Sequence, residues 1–368
     1  MSTKEALYKL LRIAIGNESD LSLPENVNLA EVMELSEQVG IGGLAVCGFQ
    51  RMVDSGLDLI AATKEDRIRR MHWIGLSMMH EQKTKLQWRS VQTLLDLFAD
   101  NGITTVGLKG ITVAQWYPNP MHRDSCDFDC FLLKEGTDGK LVPAYEEGNK
   151  VVENEGVSVD RNIYVHSVFK YGELVVENHH YLAAVKLSKR HRRMDSLLRR
   201  LLAEEPLQTV MDSRLMMGSP MFNAVFLTHH AHRHFLNEYI PLKLLIDWAL
   251  FIKNNQTLDW KNYWEVVDKF GMLRFAQSMT RLSCRLLGAT VPFSLTTDNE
   301  ADSFLEESLW DRTASSPVGT VRRSLFSRHL GIISNLMHAR DRYKVFYDCS
   351  SFRMIVAYMK GYLFGGED

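Results

Sequence analysis

The chain has 368 residues, of which 45% are hydrophobic and 24% charged, as in water-soluble globular proteins with two or three lobes. A formal net charge of -2 gives no basic field of the kind that attracts nucleic acid, so nucleic acid is not an expected partner. No uncharged apolar run approaches the ~18 residues of a membrane-spanning helix, so no membrane contact is expected. The five cysteines lack C-x-x-C spacing and no signal peptide precedes them, which favours reduced thiols and a cytoplasmic location.

The sequence of residues 1–95 predicts only helices. Apolar side chains recur at helical spacing, and polar residues and glycines separate the segments. The longest helix is expected from about Thr63 to Phe98, with Asn101-Gly102 as its stop signal. We expect its last turns to pack on a sheet that begins at Thr104.

The window from Gly107 to Leu133 predicts a strand, a glycine turn, a short helix, a loop and a second strand. Asp127 and Asp129 are two residues apart in that second strand, so their side chains share one face. Two adjacent carboxylates repel each other unless a cation lies between them, and such hard oxygen ligands suit Mg²⁺. The pair therefore predicts a metal site for phosphoryl or nucleotidyl transfer, although the same spacing also occurs in surface turns.

A β-hairpin is expected from residues 164–169 and 173–181, with its turn at Tyr171-Gly172. Glu177 lies in the second of these runs, among apolar residues, where an unpaired carboxylate is costly to bury. Taken alone, this pattern favours an edge strand with Glu177 in solvent.

The rest of the chain predicts helices, with one basic cluster at residues 186–200. That cluster is typical of a solvated helix; an RNA- or phosphate-binding face is the alternative, but no aromatic residues interleave it. His230 and His234 are four residues apart, on one helix face, a spacing that also binds zinc. No glutamate completes the H-E-x-x-H form, however. Residues 324–364 also have a helical composition.

Several of these segments together resemble a known family. The first segment contains Leu108-Lys109-Gly110, Tyr117-Pro118, Arg123 and Asp127-Phe128-Asp129. It resembles the signature of a bacterial group of uncharacterised nucleotidyltransferases, in the superfamily with the DNA-polymerase-β-type nucleotidyltransferase fold. Glu177 and His179 match a Glu-Leu-His-Trp-like run of that family, whereas Asn178 and His180 depart from it. A second motif is matched by His230, Arg233, His234, Lys243 and Asp247.

The resemblance implies an α+β fold, a small mixed β-sheet nucleotidyltransferase core flanked by N-terminal and C-terminal helical lobes. The expected division is an N-terminal helical region 1–95, the core 96–185 and a C-terminal helical region 186–368. It also implies that Asp127, Asp129 and Glu177 form the catalytic group and bind Mg²⁺ or Mn²⁺. Glu177 would be either a metal ligand or the general base that takes the acceptor's proton.

The nucleotide-binding residues that the resemblance implies are Lys109, Gly110, Arg123, Arg233 and Lys243. His179, His230, His234 and Asp247 would support them. Alternatives remain open for three of these residues. Lys109 would otherwise be a solvated lysine beside the turn. Arg123 would otherwise pair with Asp124 or Asp127, and Asp247 would otherwise orient Arg233 or Lys243.

The function expected from the resemblance is transfer of a nucleoside monophosphate from a nucleoside triphosphate to an unidentified hydroxyl acceptor. That acceptor would be a small molecule, a sugar or a protein. The alternative is a catalytically inactive module of the same fold that senses a nucleotide or binds a partner. An RNA-directed enzyme is disfavoured by the near-neutral net charge.

Overall fold

The computed structural model describes residues 1–24, 27–55, 64–237, 239–310 and 340–347. Thr63 and most of residues 324–364, for which we predicted helix, lie outside this part. The fold is α+β, with a small mixed sheet between helices that precede and follow it along the chain. The predicted fold class is therefore confirmed.

The helices of the described part agree with the predicted order of segments. They are α1 Thr3–Ala14, α2 Leu29–Gln38, α3 Gly42–Asp54, α4 Lys64–Asp100, α5 Tyr145–Asn154, α6 Lys189–Glu204, α7 Pro220–Asn237, α8 Leu242–Asn254, α9 Trp260–Lys269, α10 Leu273–Leu287, α11 Asn299–Ser308 and α12 Arg340–Tyr347. Two short 3-10 helices, Gly110–Trp116 and Pro120–His122, follow the first strand. Within the described ranges, no helix has both the length and the apolarity needed to cross a membrane.

The sheet has a mixed topology that brings distant parts of the chain together. Its strands are β1 Ile103–Gly107, β2 Phe128–Glu135, β3 Leu141–Pro143, β4 His166–Tyr171, β5 Leu174–His179, β6 Gln208–Thr209 and β7 Met216–Met217. They lie in the order β4-β5-β2-β1-β7-β6, and β3 pairs with the far end of β2. Strands β4 and β5 form the predicted hairpin, and β5 runs parallel to β2.

One face of the sheet packs on the long helix α4. Val91, Leu94 and Phe98 on its last turns are buried against Phe128 and Cys130 of β2. These apolar residues recur at helical spacing on α4 and at every second position on β2, so each element presents one apolar side. The prediction that the end of this helix packs on the sheet is confirmed.

The opposite face packs on helices from both ends of the chain. Val106, Phe131 and Leu133 share one buried core with α1–α3 and α7–α10. The Arg12 side chain donates a hydrogen bond to the Leu286 carbonyl oxygen (3.2 Å), which ties the start of the chain to α10. The division into three regions at residues 95 and 185 stays a prediction. Helices that precede the sheet along the chain contact helices that follow it, as α1 and α10 do.

Candidate metal and nucleotide site

Three carboxylates from two neighbouring strands meet at one end of the sheet. The parallel register of β2 and β5 places Asp129 beside Glu177, and Asp127 immediately precedes β2. One oxygen from each of the three lies within 4.8 Å of the others. Asp129 is fully buried, whereas the side chains of Asp127 and Glu177 are 31% and 25% exposed. Because β5 lies between β4 and β2, the expectation of an edge strand with Glu177 in solvent is wrong.

Lys109 directs its ammonium group into this carboxylate group. Its Nζ lies 3.3 Å from Oδ2 of Asp127 and also contacts Oδ2 of Asp129. Burial alone would lower the pKa of Lys109, but the two aspartates outweigh it and raise the pKa above its ordinary value. The side chain is only 16% exposed, so the alternative of a solvated lysine is wrong.

His179 completes the surroundings of Asp129. Its Nε2 lies 3.1 Å from Oδ1 of Asp129 and 3.7 Å from Oε2 of Glu177. Burial opposes ionisation of both residues, yet Lys109 and His179 hold the pKa of Asp129 far below its usual range. The hydrogen bond to Asp129 likewise outweighs burial and raises the pKa of His179 to about 9. The buried carboxylate is therefore ionised and lies between two cationic groups.

The turn at Gly110 holds Lys109 and the aspartates in place. Gly110 has a φ of 59°, a left-handed conformation that favours glycine. A Cβ atom there would lie 2.5 Å from Oγ of Ser125. That hydroxyl donates a 2.8 Å hydrogen bond to the carbonyl oxygen of Asp127. Since the turn and the start of β2 are in contact here, only glycine fits between them.

Arg123 does not form the ion pair with the Asp124 or Asp127 carboxylate that the sequence offered as an alternative, although its Nη1 donates to the backbone carbonyl oxygen of Asp124. Its Nε and Nη2 donate to the two carboxylate oxygens of Asp247 in α8, at 2.8 and 2.7 Å. The Tyr117 hydroxyl donates to the same carboxylate at 2.7 Å. Asp247 thus orients a basic group, but this group is Arg123 and not Arg233 or Lys243, the two that the alternative named.

Two further basic residues lie near the carboxylates without an ion-pair partner in the described part of the chain. Lys243, at the start of α8, lines the same cleft as Lys109 and Asp127. Burial and then the charge of Arg123 lower its pKa. Arg233 of α7 is half-buried, and its charge acts on His166 and His230. The site therefore has further positive groups in addition to Lys109.

The two histidines predicted to share a face of α7 lie side by side. The ring centroids of His230 and His234 are 4.6 Å apart, and His230 lies within reach of the charge on Lys109. Burial lowers the pKa of His230 well below its usual value, so this ring is neutral. Among the described residues, neither ring belongs to a group of three potential metal ligands. The zinc alternative therefore lacks a third ligand there.

A cleft of about 440 Å³ opens beside the carboxylates. The turn at Lys109-Gly110, the loop from Arg123 to Asp127 and the start of α8 form its main walls. Glu37 to Gly40, at the end of α2, form another wall that the sequence motifs did not predict. His166 of β4, whose Nε2 is 3.7 Å from Glu177 Oε1, was not predicted either. Neither segment carries a motif, and both reach the site through long-range packing.

A sequence model of the family described as uncharacterised nucleotidyltransferase matches residues 29–288. The match includes the carboxylates, the Lys109 turn and the helices α7 and α8. The chain belongs to this nucleotidyltransferase family. The resemblance to an uncharacterised nucleotidyltransferase family is thereby confirmed, whereas the bacterial group and the superfamily stay predictions. No curated protein and no solved structure matches the chain.

Proposed function

We propose that this member of the nucleotidyltransferase family is a Mg²⁺-dependent enzyme that transfers a nucleoside monophosphate from a nucleoside triphosphate to a hydroxyl acceptor. The acceptor would be a small molecule, a sugar or a protein. The proposal includes a core of the DNA-polymerase-β type. The observation that carries it is the convergence of Asp127, Asp129 and Glu177 within 4.8 Å beside an open cleft.

The donor atoms of these three residues fit a hard divalent cation. All three offer carboxylate oxygens, which Mg²⁺ and Mn²⁺ prefer, and two of the side chains are partly open to solvent. Asp127, Asp129 and Glu177 would hold the ion. When bound, it would supply positive charge to the phosphates and lower the pKa of the acceptor hydroxyl.

The residues around the carboxylates have separate roles in this proposal. Lys109, Lys243 and Arg233 provide positive charge for the triphosphate, and the Gly110 turn keeps Lys109 beside the aspartates. Glu177, which is a quarter exposed, would act either as a ligand or as the general base for the acceptor hydroxyl. The cleft volume of about 440 Å³ lies in the range of small-molecule sites.

Two experiments test the proposal. The first is calorimetric titration with each nucleoside triphosphate, with and without Mg²⁺. The second measures transfer of an α-phosphate label to acceptors in cell extract. We expect Mg²⁺-dependent binding of at least one nucleotide and label on an acceptor. The double variant Asp127→Asn plus Asp129→Asn should lose both. Asp138→Asn, in an exposed turn, is the matched control and should keep both. Nucleotide binding that is unchanged in the double variant would overturn the proposal.

A second candidate function is favoured by the position of Lys109. Its ammonium contacts both aspartates and so provides part of the positive charge that a metal would supply. A catalytically inactive module that senses a nucleotide or binds a partner would keep such a neutralised group. For such a module, nucleotide or partner binding should not depend on Mg²⁺, and no label should be transferred. The same experiments therefore distinguish the inactive module from the enzyme.

A further inference from the structure

A second group of potential metal ligands lies next to the carboxylates on the same face of the sheet. It consists of His166 on β4 and of Glu177 and His179 on β5, and we call it the histidine–glutamate group. His166 lies opposite His179 in the antiparallel register, and their ring centroids are 5.1 Å apart. One ligand atom from each residue lies within 4.8 Å of the others. Glu177 belongs to both groups.

The backbone fixes which nitrogen of His179 faces this group. Its Nδ1 lies 3.2 Å from the carbonyl oxygen of Tyr181, and a carbonyl oxygen only accepts hydrogen bonds. Nδ1 therefore carries a proton, and Nε2 points toward Asp129 and Glu177. Histidines that bind metals are commonly held in this way, with the second ring nitrogen donating to a carbonyl or carboxylate. Without a metal, Nε2 also carries a proton and donates to the ionised Asp129, so a metal ion that binds at Nε2 would release this proton.

His166 has two ring nitrogens without hydrogen-bond partners among the described residues. Both are shielded from solvent, and Nε2 lies 3.7 Å from Oε1 of Glu177, too far for a hydrogen bond. A buried polar atom without a partner costs about 1–3 kcal/mol, so such atoms call for an explanation. A ligand that binds the ring at this position would provide the missing partner.

We propose that His166, Glu177 and His179 bind a first-row transition-metal ion of the Zn²⁺ or Co²⁺ type. Two imidazole nitrogens and one carboxylate are the ligand set of many three-ligand zinc sites, which leave a further position for water or substrate. Imidazole also selects these ions over Mg²⁺, which prefers oxygen ligands. The proposal goes beyond the proposed function, because such an ion binds whether or not the chain transfers nucleotides.

The two groups would therefore select different ions. The carboxylate group offers only oxygen, whereas the histidine–glutamate group offers two nitrogens and the shared Glu177. Asp127 belongs only to the first group, and His166 only to the second. Variants at these two positions separate the two sites without a substrate or an activity assay.

Cobalt titration of the full chain tests the proposal. Metals are first removed from the protein, and a large excess of Mg²⁺ is then added before the titration. We expect one Co²⁺ to bind with visible absorption bands that Mg²⁺ does not remove and Zn²⁺ does. In His166→Asn, Co²⁺ affinity should fall by about 100-fold or more, since loss of an outer-sphere partner alone costs 10–100-fold. Asp127→Asn should keep the bands, and so should His180→Asn, which removes the neighbouring histidine outside the group.

X-ray absorption of the cobalt-loaded wild type is independent of whether any variant folds. Scattering from two imidazole rings is expected. A spectrum with oxygen ligands only, or cobalt binding that His166→Asn leaves unchanged, would overturn the proposal and leave His179 solely as the cationic partner of Asp129. Because no nucleotide is present, failure of nucleotide transfer does not affect this result.

Discussion

The guanidinium of Arg123 and the carboxylate of Asp247 form a buried, two-pronged ion pair, with donor–acceptor distances of 2.8 and 2.7 Å. The side chains are 4% and 2% exposed. The pair joins the loop before β2 to helix α8, two elements that are far apart in the sequence. Lys243 lies one helical turn before Asp247, so this ion pair also sets the position of Lys243 beside the cleft.

Asp247→Asn should destabilise the protein by about 3–5 kcal/mol, because it leaves the Arg123 charge buried without a carboxylate. Urea unfolding measures the loss. Glu153→Gln, which breaks the solvent-exposed pair with Arg161, is the control and should have little effect. Equal stability of Asp247→Asn and the wild type would show that Arg123 finds another partner and that the pair does not hold the loop.

The two aspartates of the carboxylate group should respond differently to the same substitution. Asp129 is buried between Lys109 and His179, so Asp129→Asn leaves two cationic groups facing each other and should cost about 3–5 kcal/mol. Asp127 is partly exposed, and Asp127→Asn should leave the free energy of unfolding nearly unchanged. Both variants should lose Mg²⁺-dependent nucleotide binding. Urea unfolding and calorimetric titration separate the two effects, and equal unfolding free energies would contradict the buried role of Asp129.

Gly110→Ala tests the contact between the turn and the start of β2. Because the backbone at Gly110 is left-handed, a Cβ there adds about 1–2 kcal/mol of conformational strain. The same Cβ also collides with Oγ of Ser125. Gly156→Ala is the matched control, because Gly156 has a φ of 79° with nothing within 4 Å of the added Cβ. Thermal unfolding should show a larger loss for Gly110→Ala. In the double variant with Ser125→Ala, the excess should largely disappear.

If Gly110→Ala and Gly156→Ala lose the same free energy, the turn has room to shift and the contact with Ser125 is not restrictive. Nucleotide binding provides a second measurement. It should weaken in Gly110→Ala, since displacement of Ser125 also moves the carbonyl of Asp127, and it should be unchanged in Gly156→Ala.

The elements could be predicted from the sequence because their signals are local. The apolar spacing of α4, the hairpin of β4 and β5 and the Asp127–Asp129 pair each lie in one short stretch. The partners of single residues could not be predicted in this way. The place of Glu177 depends on parallel pairing of β5 with β2, and Arg123 meets Asp247 only after α8 packs behind the loop.

The contacts of the histidines in the site could not be predicted from the sequence either. His166 was missed because it has no neighbouring motif, and only its antiparallel pairing with His179 brings it to Glu177. His179 was noted through the family resemblance, but its hydrogen bonds to Asp129 and Tyr181 depend on strand register. The sequence around Lys109 also fitted a solvated lysine. Its contacts with both aspartates depend on the burial of its side chain, which arises only when the chain is packed.

Buried neutral histidines on α7 should make the protein less stable in mild acid. Burial lowers the pKa of His232 to about 3 and those of His229 and His230 well below their ordinary value. The unfolded chain takes up protons near pH 6.5, whereas the folded His232 stays neutral to about pH 3. Stability from this residue is therefore complete above about pH 6.5 and decreases as the pH falls toward 3.

The variant His232→Gln isolates one of these protons, because glutamine does not titrate and can still bond the Tyr347 hydroxyl that contacts His232. Between about pH 7.5 and pH 5.5, the wild type should lose about 1.4 kcal/mol more than His232→Gln in the free energy of unfolding. Urea unfolding at both pH values measures the difference. His72→Asn, at an exposed position, is the control for the loss of a histidine. Parallel curves for the wild type and His232→Gln would mean that His232 takes up its proton equally in the folded and unfolded chain. That result would contradict the burial that sets its pKa.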